Sequence, residues 1–294
     1  MKKENHKTRL LTILLGTLIV LTFPLCSFSK STEIIENKVV EIQTRPGVKQ
    51  KFIFIKPATP IASVILFEGG RGLLKLKNLW GKPSVNTKMS TLLVNNREDL
   101  AKQGFMVALI DTPSDMDSRK LGRADFLKGT KRVYDMSPEL AQDIEPVISF
   151  LKNEADIPVW LVGISRGTFS AVTTAIFTQK KINGLVLLSS ETNIPEKWYI
   201  YKSHPKGILN MDLQKISVPA LVIAHKDEKC KITPASAAPE IKEALINSPK
   251  TEVMYFTGGK KPKSGPCDPK SPHAFYGIED KIITAIENFI KTNS

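Results

Sequence analysis

The five residues Gly163-Ile164-Ser165-Arg166-Gly167 fall between an apolar run, Val159 to Val162, and a helix-forming stretch from Arg166 to Gln179. A serine at the centre of G-x-S-x-G, on a sharp strand-to-helix turn, has its hydroxyl lifted above the sheet at the positive end of the following helix. Side chains at the flanks of so tight a turn would collide, hence glycine at 163 and 167. A serine hydroxyl alone is a weak nucleophile. It attacks a carbonyl carbon when a histidine takes its proton and a carboxylate orients that histidine. The chemistry indicated is acyl transfer through a covalent serine intermediate.

With the serine on such a turn, the acid and then the histidine follow it in the chain. Two histidines, His225 and His273, lie beyond the strand predicted at 220–224, and only His273 follows the last predicted strand. It sits in the stretch CDPKSPH ahead of a terminal helix and is the expected base, with His225 expected to pack at a strand end. The acid is Asp227 or Glu228. Aspartate is the commoner choice in such triads, whereas the register counted from Pro219 favours Glu228, and both stay open. The developing oxyanion needs N–H donors. One is expected from Arg166, directly after the nucleophile, and the other from Gly70 in the segment EGGRG at 68–72. Glu68 stands where a histidine is usual in that segment.

These residues need a scaffold that brings segments a hundred positions apart to one edge. Strands are predicted at 39–43 and 51–55 as a hairpin, then at 63–67, 105–110, 159–162, 185–188, 220–224 and 252–256. Helices are predicted at 90–103, from a Ser137 cap with Pro138 first to about 153, at 166–179, 235–246 and 275–291. Alternating strands and helices imply a mostly parallel central sheet covered on both faces, with the ligand beyond the carboxyl ends of the strands. The stretch 190–217 is too short for a cap domain. Trp198, Tyr199 and Tyr201 within it could line an acyl pocket or merely pack the loop.

Residues 1–29 read as a signal peptide. Lys2, Lys3, Lys7 and Arg9 precede an apolar stretch from Leu10 to Phe23, followed by Pro24 and a small-residue pattern ending at Ser29. That stretch is shorter than the roughly 20 residues of a membrane-spanning helix. An uncleaved anchor, or lipidation at Cys26, are the alternatives. The expected domain is 30–294, in the periplasm or outside the cell. Cleavage would leave Cys230 and Cys267, which an oxidising compartment would join as a disulfide tying the acid loop to the histidine loop.

Together these features resemble the α/β-hydrolase superfamily across essentially the whole chain after the leader. The pieces GISRG, the acidic pair before Cys230, Gly258-Gly259 and the stretch SPHAFYGIE after Cys267 are similar to small exported bacterial hydrolases with dienelactone-hydrolase-like cores. The resemblance implies an α/β-hydrolase fold with no large cap, and a serine esterase that needs no metal or organic cofactor. A peptidase or acyltransferase would use the same triad. A non-catalytic binding protein on the same scaffold is the contrasting expectation.

The formal net charge is +13. The loops 68–90, 111–136, 190–217 and 257–273 carry +4, +1, +1 and +3 of it. All four should lie on the Ser165 side of the sheet, so an anionic substrate or surface would be steered there. No nucleic-acid motif accompanies the charge. His6, His204 and His225 show no metal-ligand spacing, and no cysteine cluster suggests zinc.

Overall fold

The computed structural model describes residues 31–70, 72–85, 91–116, 130–178 and 181–294. The predicted leader with Cys26, the first residue of the predicted 90–103 helix and much of the predicted 111–136 loop lie outside them. Apolar and polar residues alternate on either side of a Pro46-Gly47 turn, where Gly47 takes φ 72°. They pair as an antiparallel hairpin, β1 (Ile34–Arg45) and β2 (Val48–Pro57). Both strands outrun their predicted cores, because the added residues of β1 include Glu36 and Lys38, which a sheet edge tolerates.

Then come β3 (Ala62–Phe67), a small hairpin of β4 (Lys77–Leu79) and β5 (Lys82–Ser84), α1 (Leu92–Asn95), α2 (Arg97–Lys102) and β6 (Phe105–Ile110). The chain continues through α3 (Thr130–Asp135), α4 (Pro138–Glu154), β7 (Val159–Ile164), α5 (Gly167–Thr178) and β8 (Gly184–Leu188). It ends with β9 (Ala220–His225), α6 (Ala238–Ala244), β10 (Thr251–Phe256) and α7 (Glu279–Asn293). Among the described residues the main sheet has the order β1-β2-β6-β3-β7-β8-β9-β10. It is parallel from β6 to β10 and antiparallel only at β1–β2 and β2–β6.

The pleat sorts the core into two layers. In β7, Val159 and Leu161 join Phe52, Ile65, α4, α5 and α6 on one face. Trp160 and Val162 join Ile53, Val64, α1, α2 and α7 on the other. Trp160 needs room beside it, and a Cβ at Gly184 would lie 2.0 Å from its ring. Being buried on both faces, β3, β6, β7, β8 and β9 read as continuous apolar runs rather than alternating ones.

Four helix predictions differ in detail. The 90–103 helix is broken at Asn96, whose side-chain amide donates to Leu92 O at 2.8 Å. Ser137 precedes α4 but makes no side-chain cap, since its hydroxyl donates to Tyr134 O. A 3₁₀ turn at Ala235–Ala237 takes up the start of the 235–246 helix. The terminal helix starts at Glu279 instead of 275, because Phe275 and Gly277 take φ 57° and 87°. Between β8 and β9 the chain makes only 3₁₀ turns packed on the core, with no cap domain among the described residues.

Candidate active site

The register places the site. Phe67 pairs with Gly163 and Ile164 with Leu188, so β3, β7 and β8 end side by side. Ser165 N–H still donates to Leu188 O at 2.9 Å while the residue itself turns to φ 54°, a left-handed conformation unusual for serine. The close fit explains the flanking glycines. A Cβ at Gly167 would lie 2.1 Å from Phe67 O, and one at Gly163 would lie 2.5 Å from Gly167 O. Gly167→Ala must therefore displace the end of β3. It is expected to destabilise the fold by about 3 kcal/mol or more, read as a fall in thermal midpoint.

Ser165 and His273 line one cavity of about 240 Å³ at the carboxyl ends of the strands. His273 lies in a 3₁₀ turn, Pro272–Ala274, and its carbonyl accepts the hydroxyl of Ser189 from the end of β8 at 2.8 Å. Its Nδ1 is 2.9 Å from Glu228 Oε2. The other oxygen of Glu228 accepts the N–H of Cys230 at 2.8 Å, and the Thr233 hydroxyl lies 3.3 Å from Oε2 and 3.0 Å from His273 Nδ1. The Glu228 side chain is almost fully buried, so the pair is held away from water.

Asp227 does not join this group. Its side chain is 63% exposed and lies 3.9 Å from His225 Nδ1 on the outer side of the loop. His225 is buried at the end of β9. Its Nε2 faces Gly258 O at 3.0 Å and its Nδ1 accepts the N–H of Asp227 at 3.1 Å, which puts the ring proton on Nε2. Of the two carboxylates left open by the sequence, the geometry brings only Glu228 to the histidine. The disulfide between Cys230 and Cys267 is present, and both cysteines form part of the cavity wall.

After β3, Glu68 is buried and organises its own loop. Its carboxylate accepts the N–H of Gly69 at 2.7 Å, the N–H of Val94 at 3.2 Å and the hydroxyl of Thr91. Burial raises its pKa above the usual glutamate value. Gly69 lies so close to Ser165 that a Cβ there would be 3.0 Å from Ser165 Cβ. Because Glu68 occupies the Gly69 N–H, Gly70 is left to offer one. Among the described residues neither the Gly70 N–H nor the Arg166 N–H has a protein acceptor.

The Arg166 side chain turns away from the cavity. Its Nε donates to Asp135 at 2.8 Å, and its Nη1 donates to Gly70 O at 3.3 Å. Asp135 also binds Lys131, so the buried Arg166 and the partly buried Lys131 share one carboxylate, and desolvation lowers the pKa of both. Nearby, Asp111 accepts the N–H groups of Leu74, Leu76 and Thr112, and the Thr112 hydroxyl donates to Gly72 O. Charge and hydrogen bonding thus hold the glycine loop from both ends. Asp111, Asp135, Thr91, Thr233 and Ser189 carry no motif, so sequence reasoning had no signal by which to find them.

The three aromatic residues of the 190–217 stretch divide. Trp198 lines the cavity under Arg132, whose guanidinium carbon lies 4.0 Å from the ring centroid. Tyr199 is 65% exposed, and Tyr201 packs against the core. Arg132 is bound in turn by Glu191 at 2.5 Å.

No family model matches the chain, and no curated protein matches it in sequence. Solved structures match it in fold. An esterase of Pyrococcus furiosus, Pf2001, aligns at a TM-score of 0.55 and 15% identity over 87% of this chain and 92% of its own. A dienelactone hydrolase from Anabaena variabilis aligns at 0.57 and 13% identity over 88% and 98%. An acylaminoacyl peptidase aligns at 0.55 and 13% identity over 88% of this chain and 42% of its own.

Proposed function

We propose that this chain, which has the α/β-hydrolase fold, is an exported serine hydrolase that cleaves carboxylic esters through an acyl-enzyme on Ser165. The observation that carries this reading is the 2.9 Å contact between His273 Nδ1 and the buried Glu228, in the wall of the cavity that holds Ser165. A serine and a histidine then line one cavity, with an orienting acid bound to the histidine.

In this reading Glu228 holds His273 with its proton on Nδ1, which leaves Nε2 to accept the proton of Ser165 Oγ. The serine attacks the ester carbonyl carbon. The carbonyl oxygen becomes an oxyanion held by the N–H groups of Gly70 and Arg166. Collapse of the tetrahedral intermediate breaks the ester C–O bond, and the imidazolium gives its proton to the departing alcohol. Water then repeats the sequence on the acyl-enzyme, releasing the acid and restoring Ser165. His273 thus carries one proton from Ser165 to the alcohol in acylation and one from water to Ser165 in deacylation.

The cavity supports an ester with a short acyl group, since its apolar lining consists of Ile164, Trp198, Ile232, Pro269 and Ala274. Export rests on the leader-like N-terminus and agrees with a disulfide in the site wall, a bond that reducing compartments seldom keep. Among the described residues no helix is long and apolar enough to cross a membrane. The test is covalent labelling of the oxidised protein by a fluorophosphonate, beside Ser165→Ala and His273→Ala. The wild type is expected to label and both variants to lose labelling. A folded wild type that does not label would instead support a binding protein on this scaffold. Ester, thioester and peptide substrates compared on the untreated enzyme would separate esterase from acyltransferase or peptidase.

A further inference from the structure

Two loops contribute to the wall of the Ser165 cavity, residues 226–231 after β9 and 257–273 after β10, and the Cys230–Cys267 bond joins them. They carry Lys226, Lys229, Lys231, Lys260, Lys261, Lys263 and Lys270, all exposed. Among the described residues none of the seven is paired with a carboxylate. The only exposed acids on the two loops are Asp227 and Asp268. The two loops thus carry seven lysines against three acids, joined by a covalent bond beside Ser165.

Inside the cavity the balance reverses. Glu68 and Glu191 line it, and its one arginine, Arg132, is already bound to Glu191. No free cation among the described lining residues awaits a charged acyl group. The charge that the rim selects must lie on the part of the substrate that stays outside. A lipid surface fits this rim less well. Proteins that lie on bilayers present apolar side chains for insertion, and no exposed large apolar residue falls within 226–231 or 257–273. Lysines spread over two loops instead suit a chain with repeated negative charges, drawn in by long-range attraction.

From this we infer that the substrate is a polyanion bearing neutral acyl esters on its hydroxyls, a polymer whose repeats carry carboxylate or phosphate, with the lysine rim binding the backbone while the acyl group enters the Ser165 cavity. The inference rests on the esterase reading for its chemistry but not for its binding. Binding is measured with the full exported chain carrying Ser165→Ala, against polygalacturonate, poly(glycerol phosphate) and neutral dextran. Hydrolysis is measured on acetylated polygalacturonate, acetylated xylan and 4-nitrophenyl acetate. The comparison variant replaces Lys226, Lys231, Lys261 and Lys263 with Gln.

The expected result is tight binding of one or both polyanions and none of dextran. Affinity should fall at least about tenfold in the quadruple variant and fade as salt rises from about 0.05 to 0.5 M. Which polyanion binds identifies carboxylate or phosphate as the recognised group. The kcat/KM on the acetylated polyanion should fall by the same factor, with 4-nitrophenyl acetate hydrolysis within about twofold of wild type. Equal binding by both proteins, or no preference for polyanion over dextran, would overturn the inference. So would binding only to vesicles of phosphatidylcholine with phosphatidylglycerol, run beside the three polymers, which would make the rim a membrane surface. Polyanion binding without 4-nitrophenyl acetate hydrolysis by the wild type would count against the esterase reading alone.

Discussion

Glu228→Gln is expected to lower kcat/KM for a small ester by about 10³–10⁴-fold, while Asp227→Asn leaves it within about twofold. The neutral amide keeps the size of the glutamate but cannot accept the His273 Nδ1–H as a carboxylate does, nor stabilise the imidazolium that forms during acylation. Both oxygens of Glu228 are engaged, one by His273 at 2.9 Å and one by the Cys230 N–H at 2.8 Å, so the amide has no rotamer that preserves both contacts. Asp227 is largely exposed and directed at His225, and its loss removes only a weak surface interaction. Steady-state kinetics and fluorophosphonate labelling rates on the two variants, with thermal melts to establish folding, decide the assignment. A large loss in Asp227→Asn with Glu228→Gln unaffected would reverse it.

Removing the disulfide with paired Cys230→Ala and Cys267→Ala changes should cost roughly 3–4 kcal/mol of stability, from the unfolded-chain entropy of a crosslink spanning 37 residues. The effect on turnover should exceed what partial unfolding explains. Cys230 N–H orients Glu228, and Cys267 anchors the loop that carries His273, so breaking the bond loosens the acid and the base together. We expect kcat to drop about tenfold or more at temperatures where the variant stays folded, because small displacements of catalytic groups are costly. Wild-type protein treated with a reductant should lose activity in the same proportion and regain it on reoxidation. Melting curves and kcat measured side by side check both parts. Unchanged kcat in a destabilised but folded variant would leave the bond a purely structural role.

Much of this was legible in the sequence, for identifiable reasons. The elbow at 163–167 was readable because glycine is demanded at both flanks by backbone contacts that tolerate no Cβ, as the distances at Gly163 and Gly167 show. His273 was readable because chain order leaves one histidine after the last strand. The two carboxylates after β9 could not be told apart, because a single-residue difference in where the strand releases the chain decides which faces inward. The structure extends β9 through His225, so that Asp227 turns outward and Glu228 inward. Helix starts shifted where a left-handed residue such as Phe275 interrupted an otherwise helical pattern. The hydroxyls of Thr233 and Ser189 and the carboxylates of Asp111 and Asp135 act through hydrogen bonds that reach other segments of the chain, which leave no periodicity to read.

Arg166 has a consequence that reaches beyond its own position. Its main chain supplies one donor of the proposed oxyanion site, and its side chain grips the carbonyl of Gly70, which supplies the other. Two donors separated by nearly a hundred residues are thus gauged against each other by one side chain, with Asp135 as the fixed stop. The spacing between them behaves as a single inherited dimension, so a change at 135, 166 or 70 resets it for all three. An engineer widening this site for a bulkier substrate would have to vary those positions as a set.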